Sequence, residues 1–135
     1  MRKLADHIVS GDQAVQLEIE VTDQPGQGGA NHKYEVTGFD TSKNLSKVGD
    51  NGFGHEFSRM VVLFQNGPIK EFGVNGITQE ALLAIVIDRL RSFQSGPFSC
   101  RENAIALTKC EEALMWLQRR TVARIKRGVE GTHEK

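Results

Sequence analysis

Alternating apolar and polar residues dominate the first half of the chain. Residues 14–21 read Ala-Val-Gln-Leu-Glu-Ile-Glu-Val, setting Val15, Leu17, Ile19 and Val21 on one face and Gln16, Glu18 and Glu20 on the other. This period of two predicts a strand with one wet face. His32-Lys33-Tyr34-Glu35-Val36 predicts a second, shorter strand. Residues 56–65 predict a third, whose run Met60-Val61-Val62-Leu63-Phe64 suits burial on both faces. Together they predict an antiparallel sheet. The glycine-rich stretches 25–31 and 49–54 read as loops, and Asn66-Gly67-Pro68 and Asn75-Gly76 as turns that need positive or preset φ.

From Thr78 the period becomes helical. Thr78 is placed to cap, Gln79 and Glu80 fill the first turn, and Leu82, Leu83, Val86, Leu90 and Phe93 line one side. Gln94-Ser95-Gly96-Pro97 ends that helix, and Ser99-Cys100-Arg101-Glu102 has the form of a capping box opening another. In the second helix Leu107, Cys110, Leu114 and Leu117 repeat at three and four residues, a seam for a neighbouring helix, before a stop at Gly128. The predicted fold is α+β: an antiparallel sheet (1–77), a helical hairpin (78–128) and a short tail (129–135), within one domain. The helices are unequal, about 24 and 42 Å at 1.5 Å per residue. The overhang carries Trp116, Leu117, Val122 and Ile125, which the sheet or a second copy must cover, and two-fold pairing is the favoured solution.

Composition narrows the function. The 135 residues contain 17 basic and 17 acidic side chains, so no global field draws the protein to nucleic acid or membrane. The longest apolar run, 81–87, is far short of a span. The N-terminus lacks the apolar core of a secretory signal, so a cytoplasmic location is expected. Cys100 and Cys110 lie about 15 Å apart along one predicted helix and cannot pair. The four histidines show no metal spacing, no nucleophile motif is present, and the glycines at 28–29 match neither phosphate-loop pattern and lead into a strand. No catalytic group, metal or cofactor is expected.

Local clustering is what remains. Arg119, Arg120, Arg124, Lys126 and Arg127 fall within nine residues. Basic residues there offset the negative end of a helix dipole, which accounts well for Lys126 and Arg127. Arg120 and Arg124, four apart, share a face, a geometry that also suits clamping of phosphate or stacking on a base. Phe93 and Asn103 flank the interhelical turn. Singly they read as a core plug and a solvated polar residue; together, an aromatic plate and an amide suit a nucleobase.

Several segments carry a family resemblance: Phe64-Gln65-Asn66-Gly67-Pro68-Ile69, Val74-Asn75-Gly76-Ile77-Thr78, Leu83-Ala84-Ile85-Val86-Ile87-Asp88-Arg89-Leu90, and the stretches Cys100-Arg101-Glu102-Asn103-Ala104 and Glu112-Ala113-Leu114-Met115-Trp116-Leu117. They resemble the first Thoeris anti-defence family of phages, most strongly over residues 60–124, and the hairpin is similar to that of the phage anti-CBASS sponge. The resemblance implies a non-enzymatic sponge that binds glycocyclic ADP-ribose, the signal of Thoeris TIR enzymes. It places that ligand on Phe93, Asn103, Arg120 and Arg124. It also implies homodimers or hexamers, with Arg101 and Thr108 as candidates for a separate cyclic di- or trinucleotide site.

Helix geometry sharpens this implication. Asn103 and Arg120 are 17 residues apart on one helix, about 25 Å, too far for one small ligand. If all four residues meet it, the arginines of one copy must reach the hairpin turn of another. Two rivals stand beside this reading. One is a nucleic-acid binder using the basic helix, and the other a structural oligomeric phage protein whose arginines form intersubunit ion pairs.

Overall fold

Strand pairing organises the first part of the chain in the computed structural model, which describes residues 1–46 and 58–135. Strands β1 (Arg2–Leu4), β2 (Glu18–Val21), β3 (Lys33–Thr37) and β4 (Arg59–Leu63) form an antiparallel sheet in the order β1-β2-β3-β4. The sheet precedes the helices, the α+β arrangement expected from the sequence. The pairings Leu4↔Ile19↔Val36↔Met60 and Arg2↔Val21↔Tyr34↔Val62 gather most of the apolar residues on one face, where Val21 is only 1% exposed, while Val61 and Leu63 fall on the other. The opposite face holds Lys3, Glu18, Glu20, Lys33, Glu35 and Arg59. Lys3 pairs with Glu18 at 3.4 Å, and Arg59 pairs with Glu35, which otherwise faces Glu20 directly across β2 and β3. A counter-charge there offsets a like-charge pair that would disfavour this register.

Three details differ from the expected strands. The alternation from residue 14 does not produce a strand until Glu18, because Gln13–Gln16 form a 3₁₀ turn. The Leu17 carbonyl is hydrogen-bonded to His7 Nε2 at 2.8 Å, and the backbone of Gly38 lies so close that a Cβ there would sit 2.0 Å from the Gln16 carbonyl oxygen. Second, the first residues supply β1, which the sequence did not announce. Third, β4 is not buried on both faces: Met60, Val61 and Leu63 are 45, 43 and 47% exposed, in keeping with its place at the end of the described sheet. The loop expected at 49–54 and the start of the expected third strand, 56–57, lie outside the described residues.

At the mouth of the β2–β3 hairpin, Asp23 accepts the His32 backbone amide at 2.9 Å, and its own carbonyl accepts Asn31 Nδ2 at 2.8 Å. His32 is buried beside it. Partial burial pushes the Asp23 carboxyl up, but the amides of His32 and Lys33, the Asn31 side chain and the His32 charge together hold it below its ordinary value.

The chain divides into two compact units, Met1–Leu63 and Phe64–Lys135. The second begins with a turn segment held by side chains. Gln65 Nε2 donates to the carbonyls of Gly67 (3.1 Å) and Gly73 (2.8 Å), its Oε1 accepts the Asn75 amide (2.9 Å), and Asn75 Nδ2 donates to the Asn66 carbonyl (2.7 Å). These bonds close the loop around a short helix, α1 (Ile69–Phe72). The Asn-Gly and Gly-Pro signals thus mark one cross-braced loop. Gly76 is required in it, since a Cβ would lie 2.4 to 2.6 Å from backbone atoms of Phe64 and Gln65.

Helix α2 (Gln79–Gln94) starts as expected, with Thr78 Oγ1 accepting the Ala81 amide at 3.1 Å. Its packed face centres on Ile87, 2% exposed, with Leu83 and Leu90, whereas Val86 points outward at 44%. Leu83, Ile87 and Leu90 follow the four-three spacing of a helix seam, and Val86 lies off that line. Helix α3 (Arg101–Lys126) does not open with the Ser99–Glu102 box. Its N-cap is Cys100, whose Sγ accepts the Asn103 amide at 3.4 Å while Gln94 Oε1 accepts the Cys100 amide at 3.1 Å. Gln94 reaches across the turn and fixes Cys100, which displaces the cap by one residue. The helix gives way at Gly128, where φ is +73°. Both cysteines are free, and no helix among the described residues is long and apolar enough to cross a membrane.

Two outcomes follow. Gly76→Ala lowers unfolding free energy by about 1–3 kcal/mol, measured by urea denaturation, because the added methyl meets backbone with nowhere to move. Asp23→Asn destabilises at neutral pH but not in acid. The folded carboxyl is held low, so its contribution is present above about pH 4 and disappears as the pH falls through the folded value; melting temperatures of both proteins across pH 2–7 check this, as roughly bracketing that range.

Candidate functional site

The long helix decides which candidate residues can meet. Asn103, Leu107, Cys110, Leu114, Leu117, Thr121 and Arg124 repeat at four and three residues along α3, and all are half-buried or buried. The part of this seam up to Leu117 packs α3 against α2, and the apolar stretch read from the sequence is the seam's middle. Asn103 and Arg124 are its polar ends.

Phe93 lies in the last turn of α2 and Asn103 in the first turn of α3, so the interhelical turn brings them to one end of the hairpin. Phe93 is half-buried, and the Arg89 guanidinium stands 5.0 Å from its ring centroid, so one flank of the ring already carries a cation. Arg91 ties the helices together through Glu111 at 2.7 Å. Arg101 and Thr108 are exposed near the same end, with Thr108 Oγ1 donating to the Ala104 carbonyl at 3.2 Å.

Arg120 and Arg124 lie toward the other end. The ladder of α3 is unbroken from Arg101 to Lys126, so Asn103 and Arg120 of one chain stay about 25 Å apart. The structure therefore places Phe93 and Asn103 at the same end of the hairpin and keeps both from the arginine pair. The arginines also differ from each other. Arg120 is exposed and makes no hydrogen bond or ion pair with the described residues. Arg124 is 8% exposed, and its guanidinium is wrapped by the chain that follows α3. Nε donates to Glu130 Oε2 at 3.2 Å, one terminal nitrogen donates to the carbonyls of Val129 (2.9 Å) and Thr132 (3.0 Å), and the other donates to the Glu134 carbonyl. The four-residue spacing predicted two forks on one face; the structure leaves one without a partner among the described residues and ties the other down.

The remaining cations of the cluster have other roles. Arg119 stacks on Trp116, 5.0 Å from the ring centroid, and Arg127 donates to the Lys135 carbonyl. Arg124 and Lys126 occupy the last turn of α3, where they offset the helix dipole. Trp116, Val122 and Ile125 remain 61, 50 and 60% exposed on the stretch where α3, about 39 Å long, outruns the roughly 24 Å of α2. Sequence reasoning missed Arg89 and the strap at 129–134. Arg89 could have been found four residues before Phe93, and the strap from Gly128 and Gly131, which bracket Val129 and Glu130 as turn signals.

Comparison with known proteins falls on this same region. Residues 58–122 match the model of the Acb2/Tad1 hairpin domain. The match takes in β4, the braced loop, α2 and most of α3, including Phe93, Arg101, Asn103, Thr108 and Arg120; it ends before Arg124 and the strap. A protein of Bacillus phage SBSphiJ7 named Thoeris anti-defense 1 is 62% identical over 74 residues, covering 55% of this chain. That stretch is 52% of the phage protein, so the chain matches about half the length of this curated relative.

Proposed function

We propose, from the match of residues 58–122 to the Acb2/Tad1 hairpin domain and the likeness to a phage Thoeris anti-defense 1 protein, that this chain is a phage anti-defence protein that captures a nucleotide immune signal and holds it without breaking a bond. The signal is glycocyclic ADP-ribose, and cyclic di- or trinucleotides are a further class that Arg101 and Thr108 would serve. It acts in the host cytoplasm as a homodimer or a higher assembly such as a hexamer.

The observation that carries this reading is the contrast between the two ends of α3. One end offers a half-buried aromatic and an amide, the other an exposed guanidinium with no partner among the described residues. A rigid helix keeps them about 25 Å apart, so a small anion contacted by both must lie between copies. Exposed Trp116, Val122, Ile125, Ile85 and Val86 favour such pairing, since burying a large apolar side chain contributes about 1.5–3 kcal/mol. In the shared pocket Arg120, with Arg124, binds pyrophosphate or ribose oxygens, Phe93 stacks on the ring system, and Asn103 reads base or sugar edges.

Arg120→Ala is expected to weaken glycocyclic ADP-ribose binding about ten- to hundredfold in calorimetry, from loss of a charge-assisted hydrogen bond. Unchanged affinity would remove this residue from the site. Heat-denatured complex returns the starting nucleotide on chromatography; recovery of a cleaved product would overturn the sponge in favour of a hydrolase.

A further inference from the structure

The least expected contact in the second unit is the seat of Arg124. A guanidinium at the end of a helix, next to Lys126 and Arg127, is ordinarily left to water or a counter-anion. Here one carboxylate and three carbonyl oxygens from residues 129–134 surround it. Five N–H donors in a planar fork match the oxygens of a phosphate or pyrophosphate, and the strap presents oxygens in their place.

The strap is built to be exchangeable. It begins at Gly128 and bends again at Gly131, with φ of +73° and +80°. Apart from the Arg124 side chain, its anchors are few: the Val129 amide donates to the Arg124 carbonyl at 3.0 Å at the strap's root, the Lys70 amide donates to the Gly131 carbonyl at 3.1 Å, and His133 sits 3.6 Å from Glu71 with both side chains exposed. Among the described residues only Glu130 brings an anion to the guanidinium, and its side chain is 36% exposed, a setting in which an ion pair contributes little. A dianionic or more highly charged oxyanion offers the same fork more charge than one carboxylate.

We infer that residues 129–134 are an internal occupant of the Arg124 anion seat, with Glu130 as the stand-in for a ligand phosphate, and that anion binding displaces this strap. The inference rests on the nucleotide-sponge reading for its biological ligand, but not for its chemistry. In the free protein the strap keeps Arg124 satisfied and screens it from other cellular anions. When a pyrophosphate-bearing ligand arrives, the oxygens exchange and the strap comes away from the helix end. Arg120, unstrapped, makes first contact, and Arg124 follows only if the ligand outcompetes Glu130. The strap is then a selectivity filter favouring multiply charged anions over single carboxylates.

The test uses the full-length protein and full-length Glu130→Gln, titrated with inorganic pyrophosphate. NMR of the Arg124 Nε–Hε group reads binding, and amide hydrogen exchange reads the strap. In the native protein, exchange at 129–134 rises as pyrophosphate saturates Arg124, while α2 and α3 keep their protection. In Glu130→Gln the strap exchanges faster without ligand, and pyrophosphate binds about tenfold tighter, the weight of one charge-assisted bond. Pyrophosphate that reaches Arg124 with the strap still protected overturns the inference. So does equal or weaker binding to the variant, or no response of Arg124 in either protein. If the variant is poorly folded, the native exchange measurement decides alone. Glycocyclic ADP-ribose is titrated separately: pyrophosphate opening the strap while that nucleotide binds neither protein supports the strap and removes the nucleotide reading.

Discussion

The stiffness of one helix governs the rest. Twenty-six residues of unbroken backbone ladder make α3 a rod whose ends hold fixed positions. Side chains can turn about that rod, but none can move along it. A small molecule contacting the interhelical turn therefore cannot contact Arg120 of the same chain, and any function using both must recruit a second chain. The same rod sets the packing, because α2 is ten residues shorter (26 against 16) and is too short to reach the distal third.

Zero net charge conceals three fates for the cations of that distal third. Arg119 spends its charge on the face of Trp116, Arg124 is enclosed by its own chain, and Arg120 has no partner among the described residues. A count of basic residues does not separate these, although each has a different availability to an anion. In the first unit charge works differently, pairing across strands where Glu20 and Glu35 would otherwise repel, and so helps to set the register.

The helices were legible because their signals are local. A period of 3.6, a threonine cap and a glycine stop do not depend on distant residues, and the structure reproduces them at Thr78 and Gly128. The strands were legible in place but not in length. Alternation at 14–17 yields to a turn because a histidine ten residues earlier and a glycine in a neighbouring loop claim that backbone. Cys100 displaced Ser99 as cap because Gln94, across the turn, holds its amide. The candidate site was legible in composition only: side-chain spacing puts Arg120 and Arg124 on one face, but the chain beyond the helix settles which stays free. Contacts between segments far apart in sequence leave no periodicity to read.

The polar ends of the α3 seam have a bearing on how the hairpin is assembled. Its apolar middle runs from Leu107 to Leu117, with Asn103 before it and Thr121 and Arg124 after. Sliding the helices past each other by seven residues would draw the Asn103 amide or the Arg124 guanidinium toward the apolar middle of the seam and away from the groups that take its hydrogen bonds. The chemistry of the two ends thus favours one alignment of the hairpin, which the Gln94–Cys100 bond across the turn also supports. Extra residues in the turn could be absorbed as slack, whereas one inserted within either helix would rotate everything beyond it by about 100° and unzip the seam.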